Sequence, residues 1–376
     1  MSKNSKAFVC LAGLAPAMFL SLTRSMPQSI SPSIKSPIIA FTCSQAISLY
    51  EWRLGGICTI RADGSDFHRL TNTQETSKPV TDKNPVWSPD GNRIAFLSNR
   101  NRDDNDFDIY VINADGSNIR RITHTPRSSS KHIGTIPPHW STDSKRLAYI
   151  EGTTAGKPVN FWVVNADGSD QRKLDLGTLP NSVFEWVSPD TIAFISERDS
   201  KWALFSVNQN GSNIRPVMSY GRWITSAIWS PDRKRIAFSA GDSGIILYDN
   251  LYVSEADGSN VLQLTNERGQ KKNERSVGAQ KFAWSPDGKQ IAFTVTVNLR
   301  MNSADIVNIC VANTDGTGQR VISTHGHQFS APAWSPDGKY IAFHSLGEGR
   351  PGIYLVNRDG SNERFLVEGD NQTWRP

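Results

Sequence analysis

Asn84-Pro-Val-Trp87-Ser-Pro-Asp-Gly91-Asn-Arg-Ile-Ala-Phe96, a polar gap, and Asp108-Ile-Tyr110-Val-Ile-Asn-Ala-Asp115-Gly-Ser-Asn-Ile-Arg-Arg-Ile122-Thr123 together hold four short apolar runs. Val86-Trp87 closes a first strand, and Ser88-Pro89-Asp90-Gly91 is a tight turn. Pro presets φ there, Asp bonds back to its own backbone, and Gly accepts a positive φ. Ile94-Ala95-Phe96 is a second strand and Ile109–Ile112 a third. Ala114-Asp115-Gly116-Ser117 turns the chain into a fourth strand, Ile119–Thr123. One such meander cannot bury both of its faces, so its recurrence decides the fold.

The unit recurs seven times. The first-strand Trp returns at Trp87, Trp140, Trp186, Trp229, Trp284, Trp334 and Trp374. The second-strand aromatic returns at Phe41, Phe96, Tyr149, Phe194, Phe238, Phe293 and Phe343. The second turn returns at Asp63, Asp115, Asp167, Asn210, Asp257, Asp315 and Asp359, each followed by Gly and then Ser or Thr. This pattern reads as an all-β, seven-bladed β-propeller. The first copy begins at its second strand, Ile38–Phe41, and the chain ends on Thr373-Trp374-Arg375-Pro376. The C-terminal strand is therefore expected to complete the N-terminal blade and close the ring, leaving no open edge.

The spacings separate a constant end of each blade from a variable one. Trp to second-strand aromatic is nine residues in five of six contiguous copies and eight in the fourth. From that aromatic to the third strand the count runs from 11 to 17, and from the second turn to the next Trp from 15 to 27. Both Asp-bearing turns fall at one end, the bottom, and the variable connections at the other, the top. Binding is expected on the top face and at the mouth of the central channel.

Residues 1–25 read as a signal peptide, with Lys3 and Lys6 ahead of the apolar stretch Ala7–Leu22, and residues 26–36 as a Pro/Ser linker. Residues 37–376 form the propeller, so the protein is expected in the periplasm or secreted. The formal charge of +5 contains three basic leader residues; without them 38 basic face 36 acidic residues, or +2. That balance gives no reason to invoke nucleic acid or an anionic membrane surface, and no nucleic-acid partner is expected. Cys58 and Cys310 take a slot that is aromatic in the other blades. They read as buried apolar cysteines, a Cys43–Cys58 bridge being the other reading open to an exported chain.

The paired motifs Trp-Ser-Pro-Asp-Gly-x-x-Ile-Ala-Phe and Asp-Ile-Tyr-Val-x-Asn-Ala-Asp-Gly-Ser-Asn closely resemble the TolB-type β-propeller repeat, across essentially all of 37–376. The resemblance implies a periplasmic protein of the cell envelope. TolB's own partners do not carry over, because its propeller has six blades behind an α/β domain. Similar repeats form the propeller of prolyl-oligopeptidase-like peptidases, whose catalysis lies in an attached hydrolase domain; no Gly-x-Ser-x-Gly occurs here. The oligogalacturonate-lyase-like propeller is also similar, with seven blades and a His/Gln metal site in the channel mouth.

Candidate chemistry is sparse. Gly241-Asp-Ser-Gly244 has no His and Asp to complete a triad. Asp104, Asp106 and Asp108 lack the glycine and bidentate glutamate of a calcium loop. His139, Glu185, Arg222, Trp223, Lys281, His327 and Gln328 are the residues expected at the channel mouth, in a mixture suited to peptide or sugar. The expected function is a non-catalytic, monomeric module that binds or scaffolds an envelope protein or peptide, with no cofactor and no metal. The alternative is a carbohydrate-active lyase or hydrolase with a metal on His327, Gln328 and His139 or His132.

Overall fold

The computed structural model describes residues 36–48, 51–72, 80–100, 106–124, 131–133, 136–153, 158–177, 184–198, 201–241, 249–265, 275–277, 281–298, 306–324, 331–346 and 350–376. Every regular element among them is a β-strand. The strands form seven antiparallel sheets, each a meander running from an inner strand at the channel to an outer one. Blade two shows the plan: Asp82–Trp87 innermost, then Arg93–Ser98, Asp108–Asn113 and Arg120–Arg121. In blades three and six the inner strand comes in two pieces that both pair with the second strand.

Blade one is closed as expected. Its inner strand is Asp370–Trp374, paired with Ile38–Ser48 through Ile39 with Trp374 and Ala40 with Thr373. The Arg375 amide adds a bond to the Ile38 carbonyl at 2.8 Å. The first and last described strands thus share one sheet, and unfolding either exposes the edge of the other.

A repeated bond stitches neighbouring blades. The Trp140 indole N–H donates to the Val86 carbonyl in the preceding blade (3.0 Å). Trp186 does the same to His139, Trp284 to Ile228, Trp334 to Ala283, and Trp374 to Ala333. Each acceptor is the residue just before the previous blade's Trp, so the C-terminal Trp374 performs the task of Trp140, Trp186, Trp284 and Trp334. This is why the motif keeps Trp there: the ring supplies apolar area while its one donor fixes the blade-to-blade register.

The bottom turns also follow the motif. The Ser88, Ser141, Ser230, Ser285 and Ser335 hydroxyls each bond the aspartate two residues on. Gly91 sits at φ 68°, and in the same slot Ser144 and Arg233 take 61° and 62°. Those two accept a strain of about 1 kcal/mol relative to glycine. Arg233 has a compensating contact, described below.

Cys43 and Cys58 are joined in a disulfide across the first hairpin, and Cys310 is a buried free thiol. The aromatic slot alone favoured two unbonded cysteines. Pairing of Phe41 with Cys58 and Cys43 with Gly56 places the two sulfurs on a diagonal of the same sheet face. The core is correspondingly not one cluster but seven, each shared by two adjacent blades.

Candidate functional site at the channel mouth

Strand alternation places the site. In every blade the Ala before the second-strand aromatic packs toward the next blade: Ala40, Ala95, Ala148, Ala193, Ala237, Ala292 and Ala342. Two residues on, nearer the top, the same face carries Thr42, Leu97, Ile150, Ile195, Ser239, Thr294 and His344. The column is therefore apolar at three consecutive junctions, those following blades two, three and four. It is polar at the other four, from blade five round to blade one. Leu97, Ile150 and Ile195 are buried members of the inter-blade cores. Thr42, Ser239 and Thr294 are buried too, so they need partners.

They find them at the inner strands. The Thr42 hydroxyl accepts the Asn84 amide (3.2 Å), and that of Thr294 reaches the Lys281 carbonyl (3.5 Å). Thr225 bridges Ser239 (2.8 Å) and the Asp249 carboxyl, whose second oxygen, Oδ1, has no hydrogen-bond partner among the described residues.

Two β-bulges aim charge into the mouth. Pairing slips between Lys83 and Val86 in blade two, and again opposite Thr42 and Ala40 in blade one. At both slips an asparagine stands in the left-handed region, Asn84 and Asn371, each at φ 54°. Asn tolerates that conformation where most residues do not. A bulge re-aims the neighbouring side chain, and the neighbours are Lys83 and Asp370, both four residues before a Trp. Gly369, at φ 142°, closes the same corner; a Cβ there would lie 2.5 Å from the Thr42 carbonyl oxygen.

Lys281, His344, Asp370 and Lys83 thus follow one another round blades six, seven, one and two. Burial raises the Asp370 carboxyl, against the pull of His344, of bonds from Thr42 and Asn371, and of Lys83. Burial lowers the Lys83 ammonium, which Asp370 partly offsets. Burial also lowers His344, helped by Lys281 and opposed by Asp370, and it lowers Lys281. Shifts of this kind, in groups set side by side on neighbouring blades, make these four residues the candidate site.

The residues expected from sequence divide. Lys281 is at the mouth. Trp223 lies on the top rim, 43 % exposed and stacked on Trp202 of blade four with centroids 5.3 Å apart. Arg222 points to the Tyr252 hydroxyl at 3.5 Å. His139 and Glu185 are not at the mouth: each immediately precedes a Trp, and that position faces the next blade in the lower half of the ring. Glu185 accepts the Trp229 amide (2.9 Å) and an ion pair from Arg233 (2.5 Å), the residue strained in the turn below. Burial raises the Glu185 carboxyl and brings the His139 imidazole down to about 4, so His139 is neutral at physiological pH. His327 and Gln328 lie outside the described residues, as does the His132 side chain. Asp108 of the acidic run is committed to Arg121 (2.6 Å) and Thr123 (3.0 Å). Among the described residues no group of three His, Cys, Asp or Glu side chains could hold a metal ion. A depression of about 700 Å³ lies on the opposite, bottom face between blades six and seven. Its Arg358 is already paired with Asp287 at 3.0 Å.

Sequence reasoning missed Lys83, Asp370, His344 and Thr42. The signal was present in two columns: the residue after each second-strand aromatic, and the fourth residue before each Trp.

Comparison with known proteins agrees with this architecture. TolB of Anaeromyxobacter dehalogenans is 29% identical over 180 residues, 45% of this chain and 36% of that protein. The repeats are TolB-like. Dipeptidyl-peptidase 5 of Porphyromonas gingivalis is 24% identical over 310 residues, 82% of this chain and 42% of that protein. The chain spans less than half the length of both relatives. An oligogalacturonate lyase solved with manganese superposes at a TM-score of 0.59 and 14% identity, covering 89% of this chain and 86% of the lyase. That likeness is one of fold. No family model matches the chain. No helix among the described residues is long and apolar enough to cross a membrane.

Proposed function

We propose that this protein is an exported binding module of the bacterial cell envelope, which holds a segment of a partner protein in the top mouth of its channel. The observation that carries the reading is the polar arc from Thr225 round to Lys83, where four junctions present hydroxyls and charge in place of core. Lys83, Lys281, Asp370 and His344 offer charged donors and acceptors on neighbouring blades, a mixture suited to an extended peptide. In this reading residues 1–25 are the leader, 26–36 a linker and 37–376 the working domain, which acts as a monomer without cofactor. The Cys43–Cys58 disulfide suits an oxidising compartment and supports export.

Affinity capture from envelope extract, followed by cross-link mapping, tests the proposal. A single partner cross-linked to top residues of blades five to two, and lost on Lys83→Glu with Lys281→Glu, is the expected result. Cross-links confined to the bottom turns would contradict it. Stoichiometric manganese, zinc or calcium that is lost on His327→Ala would instead favour the carbohydrate-active alternative.

A further inference from the structure

Lys83 is a basic residue of the mouth that makes no ion pair among the described residues. Its ammonium rests 3.7 Å from the centroid of the Phe107 ring, and among the described residues no oxygen accepts a hydrogen bond from it. Basic residues elsewhere on the rim are matched: Arg100 to Asp82, Arg121 to Asp108, Arg350 to Glu368. Asp370 acts on Lys83 across space, but its own carboxyl is shared among Thr42, Asn371 and His344. An ammonium half-withdrawn from water needs acceptors, and a ring face supplies only part of that need. The bulge at Asn84 nevertheless holds it there, and the left-handed asparagine is a cost the fold carries to do so.

Building on the peptide reading above, we infer that Lys83 is the anchor for a carboxylate of the bound segment, received at the mouth beside Phe107. With Asp370 close enough to act on Lys83, a dianionic phosphate would meet more repulsion there than a single carboxylate does. Phe107 and the lysine stem give the carboxylate a low-dielectric wall, where a charge-assisted bond is stronger than in open water. The carboxylate has two sources in a peptide, the chain terminus and an Asp or Glu side chain, and both present the same group to the ammonium.

The probe is a peptide array displayed in three forms: with a free C-terminal carboxylate, with a C-terminal amide, and with Asp and Glu replaced by Asn and Gln. The best binders are then measured by fluorescence polarisation. Either the amide or the Asn/Gln form is expected to bind at least tenfold more weakly, and which one names the source. Lys83→Met should lose the same factor and become indifferent to the carboxylate, while Lys83→Arg retains the preference. A melting temperature within a few degrees of wild type, as expected for an apolar stem of similar length, shows that Lys83→Met is folded. Peptides that bind wild type and Lys83→Met equally, or without regard to the carboxylate, overturn this inference and leave the peptide reading standing. Failure of every array member to bind wild type, with binding of oligogalacturonate instead, overturns both.

Discussion

The ring has two unlike arcs. Between blades two and five the upper junctions are filled by Leu97, Ile150 and Ile195, with Ile136 packed against the same core. From blade five round to blade two the corresponding places hold Ser239, Thr294, His344 and Thr42, with Asp249, Asp370 and Lys83 alongside. The backbone is the same meander in both, so the contrast isolates side-chain chemistry. An apolar column gains stability from every junction, whereas a polar one exchanges part of that gain for groups that can address a ligand.

Substitutions should separate the arcs. Ile150→Ala and Ile195→Ala are expected to cost about 2–5 kcal/mol each, as cavities in close-packed core. Ser239→Ala should cost about 1 kcal/mol. Urea midpoints measure both, and equal losses would erase the distinction. Next in size, the Cys43→Ser, Cys58→Ser variant should lose about 3 kcal/mol, because its closed loop of 15 residues lies in the blade that seals the ring.

Arg233→Gly sets a local rule against a contact. Glycine relieves the 62° backbone and gains about 1 kcal/mol, but it strips the half-buried Glu185 carboxylate of its ion pair and leaves it only the Trp229 amide. Both side chains keep some exposure, so the expected net result is a loss of about 1–2 kcal/mol. A gain on thermal or urea unfolding would show the ion pair to be idle.

Acid titration should show opposite slopes at the two faces. At the bottom, bonds from Ser285 and Lys289 and the Arg358 charge outweigh partial burial and bring the Asp287 carboxyl to about 2. Its contribution is therefore full above the ordinary carboxylate pKa, near 3.8, and is lost as pH falls through that value toward 2. Asp370 is raised, so its protonated form favours the fold at low pH and that contribution is lost as pH rises through its folded value. Asp287→Asn should flatten the loss between pH 4 and 2, roughly the window its shift defines. Asp370→Asn, a small effect, should raise stability at neutral pH and, by freeing Lys83 of a competing carboxylate, tighten binding of a carboxylate ligand. A variant less stable at pH 7 would mean that the carboxylate is there to hold blade one together.

Much of this was legible from the repeats. Seven tryptophans spaced by turns gave the blade count, and Trp374 gave the closing strand before any pairing was known. Turn chemistry was equally plain, since Ser-x-Asp and Asp-Gly-Ser act within a few residues. What escaped was sidedness across blades. His139 and Glu185 read as mouth residues because they neighbour an inner-strand Trp, but strand alternation turns that position toward the next blade. Lys83 and Asp370 were overlooked because a bulge, not the regular period, directs them; Asn84 and Asn371 carry that signal only once their φ is known. Cys43 and Cys58 misled because the aromatic slot explained one of them well enough alone.

The most direct test of the polar arc is a photo-crosslinking amino acid placed at position 281, with one at position 339 on the bottom face as its counterpart, both in protein exposed to envelope extract. The account expects a discrete adduct with one partner from position 281 and none from position 339. An adduct from position 339 alone would place the working surface at the bottom turns and contradict the central claim.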